Sequence, residues 1–288
     1  MKKFCFLIVF LFVLLTQLSA DLMPILPTLA VPPQVNNISL LPIDFPTNTV
    51  KKYDSTLRSA DSAGWDTAVS DNYQTNVVQG FLTTWKLNSL TITAKYGFFE
   101  TSLLAKSATQ YVIFYEGAPF AHTPQLACFS GNYLGDYSCH WDLNSEPPRL
   151  VQGAISSLQH SILAFSKGTY AFMISGSTRG QIFDRSILEN LAKKVLQKID
   201  VATSLDSFGA ELPNLVDQPG ILHSLQVKLD NFTKNYQKGE YKTALNNINA
   251  FVNELVAQRG KHVSEQAYQT LKGYADTIVQ SLNALMQS

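Results

Sequence analysis

The sequence is poor in charge and balanced in sign. Only 15% of its 288 residues are charged, and the numbers of basic and acidic residues are equal, at 22 each. Such a surface offers no electrostatic footprint for nucleic acid or anionic lipid, so we expect no nucleic-acid partner. Apolar residues make up 45% of the chain, which is enough for a substantial core at this length.

Long apolar runs are also missing beyond the amino terminus. Lys2 and Lys3 precede an unbroken apolar stretch from Phe4 to Leu15, and Leu18-Ser19-Ala20 offers small residues for cleavage. The stretch is shorter than the roughly 20 residues that span a bilayer. We therefore predict an export signal over residues 1–20, with an uncleaved anchor as the alternative, and a secreted or cell-surface protein without a stable membrane span after cleavage.

Cysteine is scarce, since Cys5 lies in the predicted leader and only Cys128 and Cys139 remain. These two flank a stretch with glycine and asparagine, which is typical of a turn. We predict a disulfide between them, worth about 3 kcal/mol in the chain-entropy model. The alternative is a metal site of Cys139, His140 and His122. Because neighbours on a strand point to opposite faces, we expect neither a metal site nor a cofactor.

Proline is concentrated directly after the leader, where residues 21–52 hold six of the twelve prolines. Proline fixes φ and biases the preceding residue towards extended geometry. We predict an extended tether, or a strap laid on the surface, with enough apolar residues near Phe45 to dock.

Residues 53–200 show a mixed pattern. Leu90 to Phe98 alternates with period two, which predicts a strand, and Thr101 to Glu116 has helical spacing. Lys167-Gly168 between two apolar runs predicts a hairpin. Asp184 is a candidate N-cap, and lysines such as Lys198 crowd what we take as the last turns of the helix that it begins. This order favours an α+β domain, an antiparallel sheet with helices on one face.

The remaining residues change to a purely helical period. Residues 201–219 hold glycine and proline and are predicted to be a linker. Residues 220–288 carry three amphipathic stripes that are separated at Gly239 and Gly260, with Ser264 as an N-cap. Since one such helix cannot cover its own stripe, we predict a separate three-helix, up-down-up bundle.

The stretch from Tyr241 to Gly260 and on to Ala267, with Leu225 to Gly239 before it, resembles the FIMAH-type helical module. The resemblance covers about residues 214–288. It implies an accessory, non-catalytic module of the kind found at the carboxyl ends of secreted bacterial and archaeal proteins. The sequence departs from the family at one position. The short motif that gives the family its name ends in histidine or a small apolar residue, whereas here Phe251 to Glu254 is followed by Leu255. A role for the family's histidine therefore does not transfer to this chain.

The sequence contains no catalytic motif. Tyr133 and Tyr137 lie between the cysteines and are candidates for an exposed contact patch; the alternative is that they pack over the disulfide. His122, Asp136 and His140 are the polar residues nearest the same hairpin. We predict a secreted, non-catalytic binding or surface-associated protein, whose partner is an extracellular protein, the cell wall or a small molecule. The alternative is an extracellular hydrolase with these three polar residues in its site.

Overall fold

A computed structural model describes ten segments of the chain, and it places Pro33–Ser288 in one compact unit. The predicted leader over residues 1–20 and the candidate residue His122 lie outside the described residues. The described segments are residues 37–45, 50–58, 77–87, 90–117, 127–130, 133–142, 150–151, 154–155, 158–179 and 184–287.

The described strands are all antiparallel to their neighbours. They are β1 (Val50–Arg58), β2 (Val77–Leu87), β3 (Leu90–Phe99), β4 (Ala127–Ser130), β5 (Tyr137–Asp142), β6 (Leu150–Val151), β7 (Ala154–Ile155), β8 (Leu158–Lys167) and β9 (Tyr170–Arg179). Seven of them form one sheet in the order β1-β2-β3-β9-β8-β5-β4, and β6 pairs with β7 alone. The predicted antiparallel α+β class is therefore confirmed.

The β8–β9 hairpin forms where the sequence predicts it. Gly168 has a φ of 54°, a left-handed conformation that side chains rarely adopt. A residue outside the hairpin also stabilises the turn, because the carboxylate of Asp136 accepts a hydrogen bond from the Gly168 N–H at 2.8 Å. The strand predicted from Leu90 is also present, as β3.

Helices α1 (Ser102–Gly117) and α2 (Arg185–Leu215) cover opposite faces of the sheet. On β8, Ile162 packs with residues of α1, whereas its neighbour Leu163 packs with residues of α2. The expectation that the helices share one face is therefore wrong. Its physical reason is that β8 and β9 are apolar on both sides, so one layer of helix cannot cover them.

The linker predicted over residues 201–219 is wrong, because α2 continues to Leu215. Val201, Phe208 and Leu212 are almost fully buried along this stretch. Their burial outweighs the weak helix preference of the glycine and proline that suggested a loop. Lys198 consequently lies in the middle of a helix and does not complement its carboxyl end.

The three predicted carboxyl-terminal helices are present as α3 (Pro219–Gln237), α4 (Tyr241–Gln258) and α5 (Glu265–Gln287). Gly239 and Gly260 both have positive φ at the turns, and the Ser264 hydroxyl accepts a hydrogen bond from the Ala267 N–H. The second half of α2 packs along α5 as a fourth helix, with the ring of Phe208 5.5 Å from that of Tyr274 on α5.

The sheet and the carboxyl-terminal helices therefore share α2. Its first half packs on the sheet, and its second half belongs to the core of the helical region. The sequence predicts a separate bundle behind a linker; in the structure, a helix that belongs to both cores takes the place of most of that linker. Within the described ranges, no helix has the length and hydropathy needed to cross a membrane.

Candidate binding cleft

Residues 37–45, which we call the strap, are the first described segment of the chain. Ile38, Leu40 and Phe45 are almost completely buried and join the core between the sheet and α2. The ring of Phe45 lies 4.7 Å from that of Trp85. Part of the segment predicted as a tether over residues 21–52 is thus a core element. The reason is that its apolar side chains dock between the sheet and the helices.

Asp44 is the polar centre of the strap. Its side chain is 1% exposed and lies 2.5 Å from the Nζ atom of Lys198, which is also 1% exposed. The hydroxyl of Tyr241 donates to Oδ1 at 3.0 Å, and the N–H of Leu41 donates to Oδ2 at 2.6 Å. The buried carboxylate therefore has one opposite charge and two further donors, as a buried charge requires.

Two lysines from successive turns of α2 also hold the strap backbone. Lys194 Nζ donates to the carbonyl oxygen of Asp44 at 2.8 Å, and Lys198 Nζ donates to that of Ser39 at 2.7 Å. Burial lowers the pKa of both lysines, and the negative charge of Asp44 opposes that shift. Burial, together with Asp44, raises the pKa of Tyr241, so its hydroxyl stays protonated and acts as a donor.

The corner between α3 and α4 contacts the strap from the other side. The Tyr236 hydroxyl donates to the Asn37 carbonyl at 3.1 Å, and Gln237 Nε2 donates to Asn37 Oδ1 at 3.0 Å. A Cβ atom at Gly239 would lie 3.1 Å from the Ile43 side chain. The α3–α4 corner therefore fits the strap closely as well as binding it through polar groups.

Beside the strap lies an open cleft of about 790 Å³. It is bounded by the strap, the first half of α2, the first turn of α4 and the end of α5. The apolar wall includes Ile187, Leu191, Leu285 and Met286, and polar groups are contributed by residues including Asn190, Lys194, Glu240, Lys242 and Thr243. Its volume and mixed lining lie within the range of small-molecule sites.

The two cysteines occupy facing positions on paired strands. Cys128 on β4 is the direct cross-strand partner of Cys139 on β5, so the turn predicted between them brings their backbones together. The side chain of Cys139 is buried in the cluster that contains Ala105 and Ala108 of α1. Among the described residues, no group of three or more potential metal ligands converges.

The predicted patch of Tyr133 and Tyr137 does not form. Tyr137 is only 6% exposed, and its hydroxyl accepts a hydrogen bond from Gln110 of α1. Tyr133 is 41% exposed, but its hydroxyl bonds to Glu189 of α2 at 2.6 Å. The two rings contact helices on opposite faces of the sheet. The turn therefore does not present them together, although Tyr133 alone stays accessible.

Asp136, directly before β5, and His140 on β5 face positions of β8 that are far apart. The N–H of Asp136 bonds to the carbonyl of Ser166, whereas His140 pairs with Leu163. Three residues of strand separate the two β8 positions by about 10 Å. The Asp136 carboxylate is moreover bound to the N–H of Gly168, so it has a structural role.

Sequence reasoning missed Asp44, Lys194 and Lys198 as a group. A weak signal exists, since Asp44 is the one acidic residue in the mostly apolar stretch of residues 37–45. The two lysines were interpreted as complements of a helix dipole because the helix was expected to end after them. Nothing local links Asp44 to a lysine that follows it by 154 positions.

Comparison with known proteins finds one family. A family model of the FIMAH domain matches residues 213–280, from the last turn of α2 through most of α5. No curated protein matches the chain. The carboxyl-terminal helical region, which contributes Tyr236, Gly239 and Tyr241 to the strap contacts, is therefore similar to the FIMAH domain.

Proposed function

We propose that this is an exported, non-catalytic binding protein that takes a small amphipathic anion in the cleft beside the strap. The observation that carries the proposal is the cleft itself, whose lining combines apolar side chains with two lysines. Such a ligand would place an aliphatic body against Leu191 and Leu285. Its carboxylate or phosphate would lie towards Lys194 and Lys242.

Charge complementarity supports an anion. Lys194 donates to a main-chain carbonyl, and the nearby Asp44 carboxylate is bound to Lys198, so the cleft keeps a positive bias. Lys242 is exposed in the first turn of α4, where the helix dipole adds partial positive charge. Glu240 opposes this bias, and we expect it to set specificity against dianions.

The polar chemistry of the cleft favours binding over catalysis. Its described lining includes no histidine, cysteine or serine, and its buried carboxylate, Asp44, is engaged by donors of the fold. Lys194, the buried lysine of the lining, is likewise hydrogen-bonded to a strap carbonyl. The hydrolase alternative at His122, Asp136 and His140 stays a prediction; the separation of Asp136 from His140 speaks against it.

Export and a disulfide belong to the same proposal. The leader-like residues 1–20 and the similarity of the carboxyl-terminal region to a domain of extracellular and surface proteins support export. The facing positions of Cys128 and Cys139 support the disulfide. Mass spectrometry of the secreted protein without reductant tests both, through a new amino terminus at Asp21 and the loss of two hydrogens.

The cleft is tested with 1-anilinonaphthalene-8-sulfonate, an apolar anion that fluoresces when it is desolvated. Thr243 is exposed and lines the cleft, so Thr243→Trp fills it without disturbing the core. The matched control is Asn249→Trp, an exposed position on the same helix. We expect saturable binding that Thr243→Trp weakens at least about 10-fold, that Asn249→Trp preserves and that dodecanoate competes for. Equal binding by both variants would refute the cleft as the site.

A further inference from the structure

We propose that Lys194, Lys198, Tyr236 and Tyr241 form a recognition site for a short apolar peptide that carries one carboxylate and bends through a 3-10 helix, as Pro42–Asp44 do in the strap. In this chain, residues 37–45 occupy the site as a dissociable internal ligand. We call these four residues the strap site. The inference does not depend on the cleft having a ligand.

The strap site recognises a carboxylate at one position. Asp44 pairs with Lys198 at 2.5 Å and accepts from Tyr241 at 3.0 Å, and both of its oxygens are thereby bound. The pair is shielded from solvent, so the preference for a carboxylate over a neutral amide should be strong. This contact supplies specificity for the residue type.

The strap site also recognises the peptide backbone. Tyr236, Lys198 and Lys194 donate to three strap carbonyls, those of Asn37, Ser39 and Asp44. These carbonyls lie near both ends of the strap, so the donors fix its position along the site independently of its side chains. Main-chain hydrogen bonds combined with a few anchored side chains are the general pattern of peptide recognition.

Docking of the strap depends on its charge. Ordering the whole segment has a large entropic penalty, and only Ile38, Leu40 and Phe45 bury large apolar side chains in exchange. Lys198 is fully buried when the strap is docked, which is unfavourable unless a carboxylate faces it. Without Asp44, release of the strap would return both lysines to water, so the balance moves to the open state.

Release would also change the cleft. Ile43, Asp44 and Phe45 line it, so the strap is one of its walls. Undocking would widen the cleft and expose Lys194 and Lys198 together. The effect of strap release on ligand binding in the cleft rests on the proposed function, whereas the strap site itself does not.

The test uses the full chain with Asp44→Asn, which should vacate the site while leaving all four binding residues intact. The probe is a fluorescent, end-blocked synthetic peptide of residues 37–45, and binding is followed by anisotropy. Asp217→Asn is the matched control, since Asp217 is exposed and distant in sequence from the strap. We expect the Asp44→Asn chain to bind the peptide at least about 10-fold more tightly than the wild type or the control. A peptide with asparagine in place of its aspartate should lose that advantage.

Equal peptide binding by all three chains would overturn the proposal and make the strap a fixed part of the core. If Asp44→Asn prevents folding, the variant Tyr241→Phe is used in its place, because it removes only one hydrogen-bond donor to Asp44. Amide hydrogen exchange of this variant is then measured instead of peptide binding. Faster exchange confined to residues 37–45, including the amides of Leu40 and Leu41, supports a dissociable strap. Exchange that is unchanged, or faster throughout the chain, refutes it. The dye experiment on the cleft is read separately, so either proposal can fail alone.

Discussion

Gly239 has a φ of 77° and packs against the strap side chains of Leu41 and Ile43. Gly260 occupies the equivalent turn between α4 and α5 with a φ of 71°, but an added Cβ there would meet open space. The two glycines thus share the same conformational requirement and differ in their surroundings. That difference makes them a matched pair for measuring how closely the strap is fitted.

We expect Gly260→Ala to lower the free energy of unfolding by about 1–2 kcal/mol, the cost of a left-handed alanine. Gly239→Ala should lower it by about 1 kcal/mol more, because Leu41 and Ile43 must move away from the new methyl group. Urea denaturation followed by circular dichroism measures both. If both variants lose the same free energy of unfolding, the strap side chains can move away from the methyl group without an energetic penalty.

At the scale of elements, the sequence predicts the long periodic helices and strands, but it does not predict where one element ends and how it packs on the next. The three carboxyl-terminal helices, β3 and the β8–β9 hairpin follow from periodicity and turn residues alone. The second half of α2 could not be predicted, because its glycine and proline suggest a loop and only packing against α5 makes the helix favourable. The faces covered by α1 and α2 also depend on tertiary packing, since β8 is apolar on both sides.

The continuity of α2 is tested at Gly209, where an added Cβ would meet nothing within 4 Å. Because alanine is favoured over glycine inside a helix, Gly209→Ala should raise the free energy of unfolding by about 0.5–1 kcal/mol. Ala210→Gly, at the exposed neighbouring position, should lower it by a similar amount. Thermal denaturation compares the two variants. Two unchanged midpoints would indicate that this stretch is not helical in solution.

At the scale of the whole molecule, the strap, the sheet and the carboxyl-terminal helices meet around Asp44. This junction could not be predicted, because its residues are separated by up to 197 positions and each has an ordinary local role in the sequence. The site predicted at the cysteine turn fails for a related reason. Residues that are neighbours in the sequence there were divided between the two faces of the sheet, whereas the cleft gathers residues from distant segments.

The prediction at this scale concerns the cysteines. If the proposed disulfide forms, replacing Cys128 and Cys139 together by serine should lower the free energy of unfolding by about 3 kcal/mol. Dithiothreitol should destabilise the wild type by a similar amount and leave the double variant unchanged. Chemical denaturation with and without the reductant measures this. If dithiothreitol leaves the free energy of unfolding of the wild type unchanged, the proposed disulfide is contradicted.

The long separation between Asp44 and Tyr241 has a consequence for how the chain matures. The ribosome makes Asp44 first, and 197 positions pass before the tyrosine that hydrogen-bonds to it exists. Until α4 is made, Asp44 lacks this donor, although the sheet, Lys194 and Lys198 are already present. A chain that ends before α4 can therefore form the contacts of the strap with the sheet and α2, but the hydrogen bonds of Asp44 are complete only after α4 has been synthesised.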